Sequence, residues 1–101
     1  MAWEVIEPKK IKKQVERLPP VIQEAYKLLL ADLKNDGPEQ PSWHHYSKLV
    51  SRKGDPERHH CHLNKGKPRY VVVWRVNNHV TEILEVRYVG THENADYQRI
   101  C

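Results

Sequence analysis

The residues able to do chemistry lie between His59 and Tyr97. His59-His60-Cys61-His62 precedes a basic turn, Asn64-Lys65-Gly66-Lys67-Pro68. Arg69, Arg75 and Arg87 follow in strand-like segments, and His92 and Tyr97 in the C-terminal stretch. Imidazole titrates near neutrality and can accept or donate a proton. Guanidinium presents a planar fork to phosphate oxygens. Together these groups can bind and cleave a phosphodiester without a metal. Such cleavage of RNA asks for a base at the 2′-hydroxyl, a cation at the crowded phosphorane and an acid at the departing 5′-oxygen.

The chain that must position them is short. With 101 residues and 12.0 kDa, it is read as a single domain, 1–101, with one modest core. Phe is absent, so that core must come from Val, Leu and Ile with three Trp and five Tyr. No apolar run approaches the roughly 20 residues of a membrane span. The opening Met1-Ala2-Trp3-Glu4 runs straight into a strand-like pattern without a signal-peptide apolar region. Two cysteines are too few for a disulfide framework, so a cytoplasmic setting is expected.

Charge is uneven. Residues 1–43 hold 7 Lys/Arg and 7 Asp/Glu, whereas residues 44–69 hold 7 against 2, with five of the seven histidines. A basic block of this kind suits a polyanion, although it also suits a solvated loop.

Hydrophobic spacing gives an order of elements. Residues 2–7 read as a short strand with Trp3 and Val5 on one face. Pro8 starts a lysine-rich helix with Ile11, Val15 and Leu18 at helical spacing. Pro19-Pro20 ends it and opens a second helix, with Val21, Ala25, Leu28, Leu29 and Leu33 as its apolar face, stopped by Asn35-Asp36-Gly37-Pro38. A loop-like stretch, 39–56, carries Trp43, His44, His45 and Tyr46 and offers room for one short strand near 48–50. Strands are expected near 58–63, 69–76 and 79–89, with a turn at Asn77-Asn78. The expected fold is α+β: an N-terminal strand and a helical hairpin packed on a twisted antiparallel sheet of about four strands.

Side chains alternate faces along a strand, which sorts the candidates. If Cys61 and Leu63 face the helices, His60 and His62 point to the open face. Arg69 and Arg75 share parity with Val71 and Val73, opposite Tyr70 and Trp74. In the last strand Val80, Leu84, Val86 and Tyr88 share one face, and Glu85 and Arg87 the other. The open face then gathers His60, His62, Arg69, Arg75 and Arg87, with His92 and Tyr97 arriving from the tail.

This order, and the segments His60-Cys61-His62-Leu63-Asn64-Lys65-Gly66-Lys67-Pro68, Tyr70-Val71-Val72-Val73-Trp74 and Val89-Gly90-Thr91-His92-Glu93-Asn94-Ala95-Asp96-Tyr97, resemble the RelE/HigB superfamily of toxin–antitoxin toxins. The similarity is greatest to the group described as cytotoxic translational repressors. It extends over the whole chain, with the distinctive part in the last forty residues. It implies a RelE-like fold and an endoribonuclease that cuts mRNA, usually on the ribosome, so inhibiting translation. It also implies a cognate antitoxin of helix-turn-helix type and no cofactor. By position, His60 and His62 stand where RelE proper has lysines, Arg69 near the arginine place, and His92 and Tyr97 at the basic and aromatic places of the tail.

On that resemblance His60 or His62 is the base, Arg69 and Arg87 clamp phosphate, and His92 is the acid or a phosphate binder. Tyr97 stacks on a base or orients a proton donor, and the products are a 2′,3′-cyclic phosphate and a 5′-hydroxyl. Lys48, Arg52, Lys53, Lys65 and Lys67 are the expected backbone contacts to RNA or ribosome. Plainer roles compete: Arg87 as partner of Glu85 or Glu82, Tyr97 as a pin for the tail, His44 and His45 as ordinary loop residues, Arg75 as structural. Trp43 and Tyr46 either stack on bases or cap the helices. Zinc is opposed by parity, since Cys61 points away from His60 and His62. The rivals are a ParE-like toxin that blocks DNA gyrase, a branch generally lacking the tail basic–aromatic pair, and a non-catalytic RNA- or ribosome-binding module.

Overall fold

The computed structural model describes residues 2–49, 54 and 56–92. Among them the elements are β1 (Glu4–Ile6), α1 (Lys9–Glu16), α2 (Pro20–Asp36), β2 (Ser47–Lys48), β3 (Arg58–His62), β4 (Tyr70–Asn78) and β5 (Ile83–Thr91). The strands form one sheet in the order β1-β5-β4-β3-β2, with β1 parallel to β5 and the other neighbours antiparallel. The fold is therefore α+β as expected, with five strands and a mixed sheet where about four antiparallel ones were anticipated. The helical segment carries the chain from β1 at one edge of the sheet to β2 at the other, and the antiparallel run β2-β3-β4-β5 brings it back beside β1, where β5 lies parallel.

Prolines punctuate the helices. Pro20 occupies the first turn of α2, where its missing N–H costs nothing. Gly37 ends α2 at φ +87°, and a Cβ there would lie 2.7 Å from Trp3 Nε1. Both the left-handed backbone and the close tryptophan require glycine. Gln40, nearly fully buried, donates to the Asp32 and Gly37 carbonyls at 3.0 and 2.8 Å and so satisfies the helix end.

The core joins Ile11, Leu18, Ile22, Tyr26, Leu29 and Leu33 to Cys61, Val72, Trp74, Leu84, Val86 and Val89. Each large apolar side chain so buried contributes about 1.5–3 kcal/mol. The buried stripe of α2 is Ile22, Tyr26, Leu29 and Leu33, whereas Val21 and Leu28, expected on that face, are 78% and 65% exposed. Burial of the Tyr26 ring, whose hydroxyl donates to Glu7 at 2.9 Å, turns the helix that way. Helix α1 lies along β5, where the Gln14 side chain accepts the Val89 N–H at 3.0 Å.

Three details of the last hairpin differ from the sequence reading. Strand β4 runs on through Asn77-Asn78, and the turn follows at 79–82, with the Asn78 side chain accepting the Val80 and Thr81 N–H groups at 2.8 and 2.9 Å. Val80, expected on the core face, is 91% exposed in that turn. The β4–β5 register shifts between Val73/Tyr88 and Trp74/Val86, so Arg87 is an extra residue. This bulge exchanges faces beyond it. Leu84, Val86 and Val89 face the core, and Tyr88 moves to the open face.

Candidate active site

Buried residues on alternate positions lock β3. His59 and Cys61 are fully buried on the helix side. The His59 ring is stacked with Tyr46 at 5.8 Å and with Trp74 at 6.0 Å. Its Nε2 lies 2.6 Å from the Glu57 carboxylate and its Nδ1 2.7 Å from the Tyr46 hydroxyl. A carboxylate only accepts, so Nε2–H donates to Glu57 and Nδ1 accepts from Tyr46, and one neutral tautomer satisfies both. Burial drives the His59 pKa below its usual range against the pull of Glu57. Burial pushes the Glu57 carboxyl up, but hydrogen bonds from His59 and His79 and the nearby Lys48 charge hold it below the usual carboxylate range.

With His59 and Cys61 turned inward, His60 and His62 must face the opposite side. Two rows cross the sheet there in register: His62, Val71 and Gly90, and Ser47, His60, Val73 and Tyr88. Val71 and Val73 are fully buried although outside the helix-side core, and they form the floor of this face. Tyr88 leans along its strand, its hydroxyl donating to the Thr91 carbonyl at 2.8 Å, and a Cβ on Gly90 would meet that hydroxyl at 2.6 Å. Glycine at 90 lets the ring lie flat over the end of the floor.

Five imidazoles meet on this floor. The His62 ring lies 4.5 Å from His45 in a stack, 6.0 Å from His60, 5.5 Å from His92 and 6.5 Å from His44. The segment before β2 carries His44 and His45 into place, since the His62 N–H donates to the His44 carbonyl at 2.8 Å. At the other edge the His92 N–H donates to the Arg69 carbonyl at 2.8 Å, which fixes the start of the tail beside the basic turn. That turn is closed by Asn64, which donates to the Pro68 carbonyl at 3.1 Å and accepts the Tyr70 N–H at 2.9 Å.

Burial, then the facing charges of His45, His60, His92 and Arg69, push the His62 pKa down to about 4. Burial also lowers His60, and His92 and His45 add to the effect against a hydrogen bond to Ser47. His44 is lowered by desolvation and by His45, Lys65 and Arg69. The His60 Nδ1 lies 3.1 Å from the Ser47 hydroxyl, which can donate or accept, and 3.3 Å from the Ser47 carbonyl, which can only accept and so favours the proton on Nδ1. These are neutral imidazoles able to receive a proton, beside a guanidinium able to hold an anion.

The expected site residues divide. His60, His62 and His92 come together, with Arg69 next to them. Arg87 is instead ion-paired with Glu85, which also binds Arg75 at 3.3 Å. Burial pushes the Glu85 carboxyl up, but hydrogen bonds from Asn77 and Arg87 and the charges of Arg87 and Arg75 hold it below the usual range. Arg87 thus takes the partner anticipated as its plainer role. Lys65 and Lys67 are exposed on the turn. Lys48 shares parity with His59, turns to the helix side and pairs with Glu57 at 3.6 Å, on the face opposite His60 and His62. Trp43 donates to Asp32 at 2.8 Å and Tyr46 packs on His59, so both serve packing. Arg52, Lys53 and Tyr97 lie outside the described residues.

The membership of His44 and His45 in the cluster, and the role of His59 as the anchor of β3, could not be foreseen from the residues alone. Composition placed His44 and His45 in the basic block, but nothing local tells a loop which strand it will lie beside. Cys61 is buried on the helix side, and burial pushes its thiol up to about 12. Among the described residues no group of three or more His, Cys, Asp or Glu is arranged to hold a metal ion, and no helix is long and apolar enough to cross a membrane.

This architecture has counterparts among solved structures. The chain is similar to a chain of the archaeal RelE–RelB complex from Pyrococcus horikoshii OT3, with a TM-score of 0.73 and 18% identity over 94% of this chain and 100% of that one. It is also similar to a mutant of the E. coli toxin RelE in the free state, with a TM-score of 0.64 and 17% identity over 92% of this chain and 86% of that one. The fold is that of RelE. No protein-family model and no curated protein matches the sequence.

Proposed function

We propose that this chain is the toxin of a toxin–antitoxin system, a metal-independent endoribonuclease that cuts mRNA on the ribosome and so inhibits translation. The observation that carries the proposal is the meeting of His60, His62 and His92 beside Arg69, on the open face of a sheet with the RelE fold. His60 takes the 2′-hydroxyl proton through Nε2, with Nδ1–H held by Ser47. Arg69 holds the phosphate, and His92 protonates the departing 5′-oxygen. His62 is the central ring that spaces the two. A bound phosphate adds negative charge among the rings, which raises the lowered pKa values of His60 and His62 toward neutrality. Lys65 and Lys67 hold flanking phosphates, and Tyr97 stacks on a base or orients the donor.

The partners proposed are mRNA, the ribosome and a cognate antitoxin of helix-turn-helix type, in the cytoplasm. The antitoxin is supported by the neighbour from P. horikoshii, a complex of RelE with RelB. The test is to induce the chain in translating extract and map mRNA ends for wild type, His60→Ala and His92→Ala. Cuts ending in a 2′,3′-cyclic phosphate, weakened by about 10²–10⁴-fold in each variant, are the expected result for loss of a general acid or base. Translation arrest without new ends would instead indicate a non-catalytic ribosome binder, and DNA damage without either a gyrase inhibitor.

A further inference from the structure

Among the described residues, every ring around His62 belongs to a strand or its end except His44 and His45, which arrive from the segment before β2. Ser47 pairs with His60 in the antiparallel register of β2 and β3, and stepping back two residues sets His45 beside His62. His45 holds a left-handed backbone, φ +53°, a conformation uncommon in residues other than glycine. That turn lays its imidazole on His62 at 4.5 Å between centroids and 28° between planes. His62 is only 5% exposed, and its Nδ1 is buried without a hydrogen-bond partner among the described residues. Its orientation is therefore set by the rings packed against it, with His45 stacked on its face and His44, His60 and His92 at its edges.

We propose that His45 is a positioning residue whose ring clamps His62, and through it sets the spacing between His60 and His92. The inference rests on the nuclease reading for its kinetic consequence, but the clamp itself is a property of the free protein. A strained backbone kept by its surroundings at a cluster of reactive groups fits a role of this kind. The groups facing His62 are His44 and His45 from the loop, His60 on its own strand, Arg69 from the basic turn and His92 at the end of β5. Removing His45 takes away both the stacked surface and one of these charges.

Two variants separate those effects. His45→Asn keeps a residue that tolerates the left-handed turn and removes the ring, whereas His45→Phe keeps a ring and removes the charge. Imidazole ¹⁵N–¹H spectra of the free protein across pH read the surroundings of the His62 ring and its titration. In His45→Phe the His62 midpoint should rise by about one pH unit with a single set of ring resonances kept. In His45→Asn it should rise further, toward the ordinary imidazole value, with the ring resonances shifted and broadened as the ring reorients. In the cleavage assay His45→Asn should lose about 10–100-fold in kcat with KM little changed, and His45→Phe should restore most of the rate. Unchanged His62 resonances in His45→Asn would overturn the clamp whatever the activity. So would a fall in kcat that His45→Phe does not rescue. If wild type cuts no RNA while the spectra respond as described, the clamp stands and the nuclease reading alone falls.

Discussion

His62 carries a consequence for stability as well as for chemistry. Its pKa lies near 4 in the fold against 6.5 as an unperturbed group, and those of His59 and His60 are also lowered by burial. The unfolded chain therefore binds more protons than the folded one as pH falls below about 6.5. Above that value all three rings are neutral in both states, and their contribution to stability is fully present. As pH falls through 6.5 toward 4 it is lost, at about 1.4 kcal/mol per pH unit for each proton taken up on unfolding. Urea midpoints measured from pH 8 to pH 4 should fall in that window. The fall should be shallower in His62→Phe, which keeps a ring and removes the titration. A flat profile would show these imidazoles to be less shielded than the structure makes them.

At the scale of elements, the bulged strand β5 sets two features of the open face. It brings Glu85 between Arg75 and Arg87, and it turns Tyr88 over Gly90. Glu85→Ala leaves two neighbouring guanidinium groups uncompensated. A loss of about 2–3 kcal/mol is expected, less than for a fully buried pair because both arginines keep contact with water. Gly90→Ala forces the Tyr88 ring away and breaks its bond to the Thr91 carbonyl, at a cost of about 1–3 kcal/mol. Denaturant unfolding measures both. Cleavage should suffer more from Gly90→Ala, because residue 90 lies in register with Val71 and His62, whereas Glu85 stands in register with Arg75.

At the scale of the whole molecule, the helices and the histidine cluster occupy opposite sides of one sheet among the described residues. The helix side is apolar and sealed around Trp74, whose indole N–H reaches the Pro38 carbonyl at 3.0 Å. The open side has a buried valine floor, a ring of imidazoles and the cations of the β3–β4 turn. Affinity for a polyanion should depend on that turn. Replacing Lys65, Lys67 and Arg69 together by Ala should flatten the dependence of log Kd for single-stranded RNA on log salt by about 2, roughly 0.7 per phosphate contact removed. Lys48→Ala should leave the slope unchanged, since Lys48 faces the other side and pairs with Glu57. Filter binding from 50 to 300 mM salt tests both, and an altered slope in Lys48→Ala would contradict this placement.

Alternation along the strands was enough to put His60 and His62 opposite Cys61, and Val71 and Val73 opposite Trp74, because a pleated strand has a period of two whatever surrounds it. Proline and glycine likewise marked the ends of α2, since they act on their own backbone. Local rules could not show the bulge at Arg87, which exchanges the faces of Tyr88 and Val89, because a bulge depends on a partner strand. Nor could they show which stripe of α2 is buried, or that Lys48 turns to Glu57. The place of His44 and His45 was also decided only in the fold. A loop takes its neighbours from the strand it comes to lie against, and that pairing, with His45 stacked on His62, is a contact between residues far apart in the chain.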